Sequence, residues 1–498
     1  MSTKLTTLLF FPVLLRALAQ TVITAAGGDT TGVTSGNING VGTSALFTAP
    51  RGVSMDTSGN VIVTDSSNNK IRLIYPNRTV ITLAGGSTTG IAAGSTNGVG
   101  TASLLNQPRG VAVDASGNVI VADFSNHKIR LIYPNRTVIT LAGGGSLGIT
   151  SGYNDGVGTA AHFFSPSGIA VDTSGNVLVA DYDNHKIRLI YPNRTVITLV
   201  GGSSSGITSG STNGVGTSGL FKLPSGINVD TSGNAIVADT YNHKIRLIYP
   251  NRTVITLAGG STTGIAAGST NGVGTAALFN TPVGVAVDTS GNVIVADYGN
   301  HKIRLIYPNR VVITLSGGST TGILAGSNNG VGTVALFFSP SGVAVDTSGN
   351  VIVADTGNSK VRLLYPFTCS PGTYANFTSR SCTLCPPGSF SAAEMAPSCS
   401  PCAAGTFAQP FGSTSCEACP GGHYCPAGTS SWARLNCGRG NYCPDGSSVP
   451  IFCPNQVPPS GGWGALQVQG PAFLVETAHC LSHCFWNFTS GDGMLSKC

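Results

Sequence analysis

Charge is scarce in this sequence: Asp, Glu, Lys and Arg together make up 9% of its 498 residues, where an ordinary globular chain carries about a quarter. That excludes a coiled coil, which is built on Glu and Lys. The net charge of +6 is spread too thinly to point to nucleic acid. Hydrophobic residues still make up 41%, so a disordered chain is excluded as well. Glutamate is missing between residues 21 and 366; the three in the chain are Glu394, Glu417 and Glu476. Cysteine is missing before Cys369, and all fourteen lie between Cys369 and Cys498. Nothing beyond the N-terminus reaches the roughly 20 apolar residues of a membrane span. Two chemically different parts stand in series, in a length that allows two or three domains of roughly 100–200 residues each.

Residues 1–19 read as a secretory signal. Lys4 supplies a positive start, Leu8 to Leu15 an apolar core, and Ala17-Leu18-Ala19 a small-x-small cleavage site before Gln20. The processed chain is expected in an oxidising, extracellular compartment, where paired cysteines persist.

Glycine, at 68 positions, punctuates a repeat. Tyr-Pro begins at Tyr75, Tyr133, Tyr191, Tyr249, Tyr307 and Tyr365, a spacing of 58 each time, and KIRLIYPNRTVITL recurs unchanged at 70–83, 128–141, 186–199 and 244–257. A fixed period of this size signals a repeat architecture. Each unit carries four runs, GVAVD, NVIVAD, KIRLIY and TVITLA, rich in Val and Ile and bounded by turn residues. Those are strand signals, and Asp-x-Ser-Gly-Asn and Asp-x-x-Asn-His between them are tight-turn chemistry. Four antiparallel strands per unit, six times over, predict an all-β chain folded as a six-bladed β-propeller over 20–366. The N-terminal TVITAAGG matches a fourth strand, and the last unit stops after its third. The count comes out even only if the strand at 21–26 completes the last blade and closes the ring.

At this point the units resemble the NHL repeat family, through PSGVAVDTSGNVIVADTGNSKVR and its five sisters, including Asn-His at 126–127, 184–185, 242–243 and 300–301. The resemblance implies the same six-bladed propeller. Asn69 and Ser359 replace that histidine in the first and last units, so the fold does not require it. The long connection GGSTTGIAAGSTNGVGTAALFNTP exceeds what the return to the axis needs. It is expected to fold over one face, with a helical turn at 275–279 dropping Leu278 and Phe279 into a blade interface. Its tips are a candidate ligand surface, since loops on a rigid scaffold commonly carry recognition.

Two aspartate series recur, Asp56, Asp114, Asp172, Asp230, Asp288 and Asp346, and Asp65, Asp123, Asp181, Asp239, Asp297 and Asp355. They read as acceptors for backbone N–H groups at near-identical turns. The four histidines sit in separate blades, spread around the ring, and read as packing. No metal site, catalytic residue or cofactor is expected. The resemblance implies that gluconolactonase- and paraoxonase-like propellers bind metal through a Glu, and strictosidine synthase-like ones use a catalytic Glu; this propeller has none. Peptide-amidating lyases need several non-equivalent histidines, and only His162 lies outside the repeated position. Catalysis needs different groups around one point, whereas near-copies give a symmetric pore. Some NHL propellers bind RNA through a basic face. Here Lys128, Arg130 and Arg136 recur, but 20 basic residues face 15 acidic ones over 21–366, so nucleic acid is not an expected partner.

Asn77, Asn135, Asn193 and Asn251 stand in Asn-Arg-Thr, and Asn376 and Asn487 in Asn-Phe-Thr. All six fit the N-glycosylation acceptor; Asn309-Arg310-Val311 does not. Beyond the propeller, Cys382, Cys399 and Cys416 are 17 apart, as are Cys385, Cys402 and Cys419, in CxxCxxGxF units. These units, over 367–453, resemble ephrin-receptor-like repeats, themselves similar to EGF modules. If each module is opened by the second cysteine of one CxxC and closed by the first of the next, the disulfides are Cys369–Cys382, Cys385–Cys399 and Cys402–Cys416. The competing zinc reading gathers Cys382, Cys385, Cys399 and Cys402 around one ion. Residues 454–498, with His479-Cys480 and His483-Cys484, fit no pattern. The sequence thus describes a secreted glycoprotein without a membrane span, a binding or adhesion module for an extracellular protein or glycan. The alternative is a propeller enzyme, a lyase or lactonase-like hydrolase with an unrecognised metal site.

Overall fold

A computed structural model describes residues 20–452 apart from 29–32, 88–89, 146–147, 203–205, 261–263, 319–321, 367–368, 377–380, 393–395, 397 and 439–440. The signal at 1–19, Asn487 and the 454–498 segment lie outside the described residues. The chain divides into two compact units, Met1–Pro366 and Phe367–Cys498.

The first unit is a six-bladed, all-β propeller. In blade two, Pro108–Val113, Val119–Asp123, Lys128–Ile132 and Thr137–Gly143 follow one another as antiparallel strands. Alternate Val, Ile and Ala side chains point to the two faces of each sheet, as the period of two requires. Six apolar clusters result, each shared by two neighbouring blades. Phe47, Phe163, Phe221, Phe279 and Phe337 fill five of them with no exposed surface, and Leu105 takes the place of phenylalanine in the sixth. The helical turn is a 3-10 turn one residue earlier than expected, Gly274–Ala276. It buries Ala277 and Phe279, while Leu278 stays partly exposed. The sequence also hid a fifth strand: Gly98–Val99 pairs with the start of the fourth. Two residues are too short to show an alternation.

Ring closure is a matter of backbone register. Gln20–Gly27 pairs antiparallel with Lys360–Pro366, from Gln20 opposite Pro366 to Gly27 opposite Lys360, with a bulge between Thr24 and Ala26. Blade two has its bulge at the equivalent place, next to Ile129 and Arg130. The N-terminal strand therefore has the geometry of every other fourth strand. At the axis the six first strands meet through Gly52, Gly110, Gly168, Gly226, Gly284 and Gly342. A Cβ on any of them would strike the backbone carbonyl of the next blade, ending with Gly342 against Arg51. Glycine here is a packing requirement.

The second unit is a ladder of small modules. Its strands are short antiparallel pairs such as Thr373–Asn376 with Ser381–Leu384 and Thr406–Phe407 with Glu417–Ala418. Among the described residues, five disulfides join Cys369–Cys382, Cys385–Cys399, Cys402–Cys416, Cys419–Cys425 and Cys437–Cys443. The first three follow the register given above, in which successive cysteines pair across each module. The backbone repeats with them: Cys385, Cys402, Cys419 and Cys437 each donate their N–H to the carbonyl of Gly372, Gly388, Gly405 and Gly422 respectively, at 2.9–3.1 Å.

Candidate functional site

Most of the recurring charged residues turn out to be internal. Arg130 is fully buried: its Nη1 donates to Asp123 Oδ2 at 2.9 Å and to the Leu104 carbonyl at 3.0 Å, and its Nη2 donates to the Thr96 carbonyl and Asn97 Oδ1. The equivalent pairs Arg72–Asp65, Arg188–Asp181, Arg246–Asp239, Arg304–Asp297 and Arg362–Asp355 are equally buried at 2.8–2.9 Å. This corrects one expectation: the Asp65 series does more than close a turn, since each of its members pairs with a buried arginine. Asp123 also accepts the Asn106 N–H and the Asn126 amide, tying the incoming loop to the sheet. Burial pushes the Asp181 carboxyl up to about 6, with Arg188 pulling against it. The signal was present in the sequence, as a charged residue in mid-strand between Ile and Leu in five copies and between Val361 and Leu363 in the sixth. The Asp56 series does act as turn acceptor: Asp114 takes the N–H groups of Ser116 and Asn118 at 2.9 and 2.8 Å.

The histidines have a bonding role between blades. Nδ1 of His127, His185, His243 and His301 accepts the N–H of Ser165, Leu223, Thr281 and Ser339 in the next blade, at 3.0–3.2 Å. In blade one Asn69 Oδ1 accepts from Gln107 in the same way, which is why asparagine can replace the ring. All five residues sit at positive φ, between 55° and 58°, a region Asn tolerates. Burial lowers the affinity of each ring for a proton, in keeping with an acceptor nitrogen.

The two ends of the propeller differ in kind. At one end the turns are near-copies: Asp-Thr-Ser-Gly-Asn recurs in five units with only Ala115 differing, and Tyr-Pro-Asn-Arg in the first five units. At the other end, where first strands begin and second strands stop, the units diverge. The residue beside each axial glycine is Arg51, Arg109, Ser167, Ser225, Val283 or Ser341. The pairs after each buried Asp are Ser66-Ser67, Phe124-Ser125, Tyr182-Asp183, Thr240-Tyr241, Tyr298-Gly299 and Thr356-Gly357. A third variable stretch precedes each first strand, including Phe164, Lys222 and Phe338. Backbone bonds such as Asp183 N–H to the Phe164 carbonyl at 3.1 Å and Tyr241 N–H to Lys222 at 3.2 Å bring these stretches together. The result is a rim of aromatic rings and hydroxyls around a cleft at the axis of about 70 Å³. Phe164, Tyr241 and Phe338 are 39–45% exposed. The edge of His127 meets Phe164 with centroids 5.5 Å apart, and His301 meets Phe338 at 5.6 Å.

Asn77, Asn135, Asn193 and Asn251 are exposed at the uniform end. Each Oδ1 accepts the N–H two residues on at 3.0 Å, and Asn309, without a sequon, does the same. These asparagines thus have a turn role independent of any glycan. Asn376 lies in the strand Thr373–Asn376.

Comparison with known proteins agrees with this geometry. The NHL repeat model matches residues 47–72, 105–130, 163–188, 279–304 and 337–362. The model described as tyrosine-protein kinase ephrin type A/B receptor-like matches 372–419. The chain thus carries NHL repeats in a six-bladed propeller, followed by an ephrin-receptor-like cysteine-rich region. It is similar to the SUPPRESSOR OF QUENCHING 1 protein of Arabidopsis thaliana, 30% identical over 53% of this chain and 26% of that protein. It is also similar to NHL repeat-containing protein 2 of Bos taurus, 28% identical over 55% of this chain and 41% of that protein. It spans well under half the length of either. Among solved structures, an auxiliary nutrient binding protein from Bacteroides thetaiotaomicron shares the fold at a TM-score of 0.52 and 16% identity, over 70% of this chain and 76% of that one.

Proposed function

We propose that this is a secreted, extracellular binding module whose recognition surface is the divergent end of the propeller. One observation carries the reading: within a single chain, strands and one set of turns are kept as near-copies, while substitutions collect at one end. The substitutions fall on loop side chains, while the buried Asp and Arg that hold those loops to the sheet are kept in every unit. A rigid ring displaying different side chains on equivalent loops is how scaffolds present recognition surfaces. Five disulfides favour an oxidising compartment, and the matched nutrient binding protein is a precedent for binding on this fold. Glycosylation at the uniform end would leave the divergent end uncovered. Catalysis is not part of the proposal.

The test is a screen of the full-length, disulfide-bonded protein on arrays of extracellular glycans and receptor ectodomains. Each ligand found is retested after Phe164→Asn and Tyr241→Gly, residues that other blades carry at these positions, and after Thr57→Ala and Ser232→Ala at the uniform end. Loss of binding confined to the first pair supports the reading. Loss confined to the second, or turnover of the ligand, overturns it.

A further inference from the structure

Arg51 and Arg109 hold the same position in adjacent blades and line one cleft together with Ser167, Ser225 and Ser341. Six other arginines are neutralised by buried aspartates. Among the described residues, neither Arg51 nor Arg109 has a carboxylate within ion-pair distance. The Arg109 guanidinium instead lies over the Phe124 ring, 3.3 Å from its centroid, with Tyr182 at 5.7 Å. Aromatic faces hold a cation in place without cancelling its charge. Burial, and then the charge of Arg51, both bring the Arg109 pKa down, to about 10; Asp183 acts the other way. Arg109 therefore keeps its charge at neutral pH. Two like charges side by side are unfavourable unless an anion joins them, and paired guanidiniums match the two-oxygen geometry of carboxylate and sulfate.

Resting on the binding reading above, we propose that the mouth of the axial channel binds the carboxylate or sulfate group of an acidic saccharide between Arg51 and Arg109, with its sugar rings lying on the aromatic rim. The cleft of about 70 Å³ is far below the roughly 300–1,000 Å³ of a pocket that encloses a whole ligand, so it takes a charged group rather than a molecule. The surroundings favour a sugar over a peptide. The blades present no free strand edge at this end for strand addition, since the inner strands are packed around the axial glycines. The aromatic rings carry polar neighbours: Phe124 and Tyr182 meet edge to face with centroids 6.2 Å apart, and the Arg109 guanidinium lies over the first. Hydroxyls stand between them: Ser167 and Ser225 share one hydrogen bond at 3.1 Å, which leaves one of their two protons for a ligand.

Calorimetric titration of the full-length protein tests this with trigalacturonate, a heparin tetrasaccharide, and the methyl-esterified and desulfated forms of each. At least one acidic probe should bind tenfold or more tightly than its neutral form. Arg51→Ser with Arg109→Ser, the residue found in blades three, four and six, should abolish that difference while leaving the melting temperature intact. Tyr241→Gly should weaken the acidic and neutral forms alike. Equal affinity for acidic and neutral forms, binding indifferent to the arginine pair, or no binding of either acidic probe overturns the inference. So does tighter binding of an acidic peptide such as hexa-aspartate. Array ligands that depend on Phe164 and Tyr241 would still support the recognition surface, so the two readings fail separately.

Discussion

The propeller and the cysteine ladder are both repeats, yet they are held together by opposite means. A 58-residue propeller unit buries an aromatic ring, an Arg–Asp pair and the faces of four strands against its neighbours. The ladder buries little besides its own half-cystines: among its described residues the buried apolar ones are Cys369, Cys385, Cys402, Cys419, Cys425, Cys437 and Cys443, joined only by Phe407 and Ala408. Unit size is the reason. Surface grows relative to volume as a module shrinks, and below about 40 residues a core alone rarely suffices. Where apolar area is lacking, covalent links constrain the unfolded chain instead.

Reduction is the strongest test of that contrast. Each of the first three disulfides closes 13 or 14 residues, worth about 3 kcal/mol, so thiol treatment should unfold the ladder outright. The propeller, which has no cysteine, should keep its melting temperature and its resistance to protease. Parallel loss of both units on reduction would remove the distinction.

Deleting residues 20–27 attacks the propeller where it depends on closure. It strips Val22 and Ala26 from apolar clusters and unpairs the seven positions facing Gln20 to Gly27. A drop in melting temperature of on the order of 10 °C is expected, with the ladder disulfides unaffected by peptide mapping. An unchanged transition would mean that the ring is held by something other than its fourth strand.

Asp123→Ala leaves Arg130 without its buried carboxylate partner, which costs about 3–5 kcal/mol. Asp123→Leu combined with Arg130→Met should recover most of that, because two apolar side chains need no counter-charge. Chemical denaturation of the three proteins reads both effects. A double variant as weak as the single one would show that the pair's other hydrogen bonds, and not its charge, hold the blade.

The smallest effect concerns pH. His127, His185, His243 and His301 have folded proton affinities lowered by burial from the ordinary 6.5. The unfolded chain therefore binds more protons, and stability rises with pH. The contribution is fully present above about 6.5 and is lost as pH falls from there through the folded values. Replacing all four by asparagine, the residue at position 69, should flatten this slope in thermal scans between pH 7 and 5 while the ladder shows no such dependence. A rising slope that survives the replacement would have to come from other groups, because the buried aspartates, with proton affinities raised by burial, make stability fall as pH rises.

The 58-residue period, four strands per unit and an unpaired strand at each end were legible in the sequence, because strand signals are local and a repeat multiplies them. The cysteine register was legible for the same reason. Arg130 and Arg136 illustrate what was not. Both recur with the same period six residues apart, yet one is sealed inside a blade beside Asp123 while the other lies exposed in the turn after Tyr-Pro. No local pattern separates them, since burial depends on which neighbour covers the face. The divergent end was equally hidden. Arg51, Tyr182 and Phe338 lie far apart along the chain, and their convergence follows from strand direction and ring closure. Antiparallel strands send the start of the first, the end of the second and the start of the third to one end. The sequence by itself determined how many blades there are and how the ring closes; only the tertiary structure decided which charges are spent inside the blades and which meet at the axis.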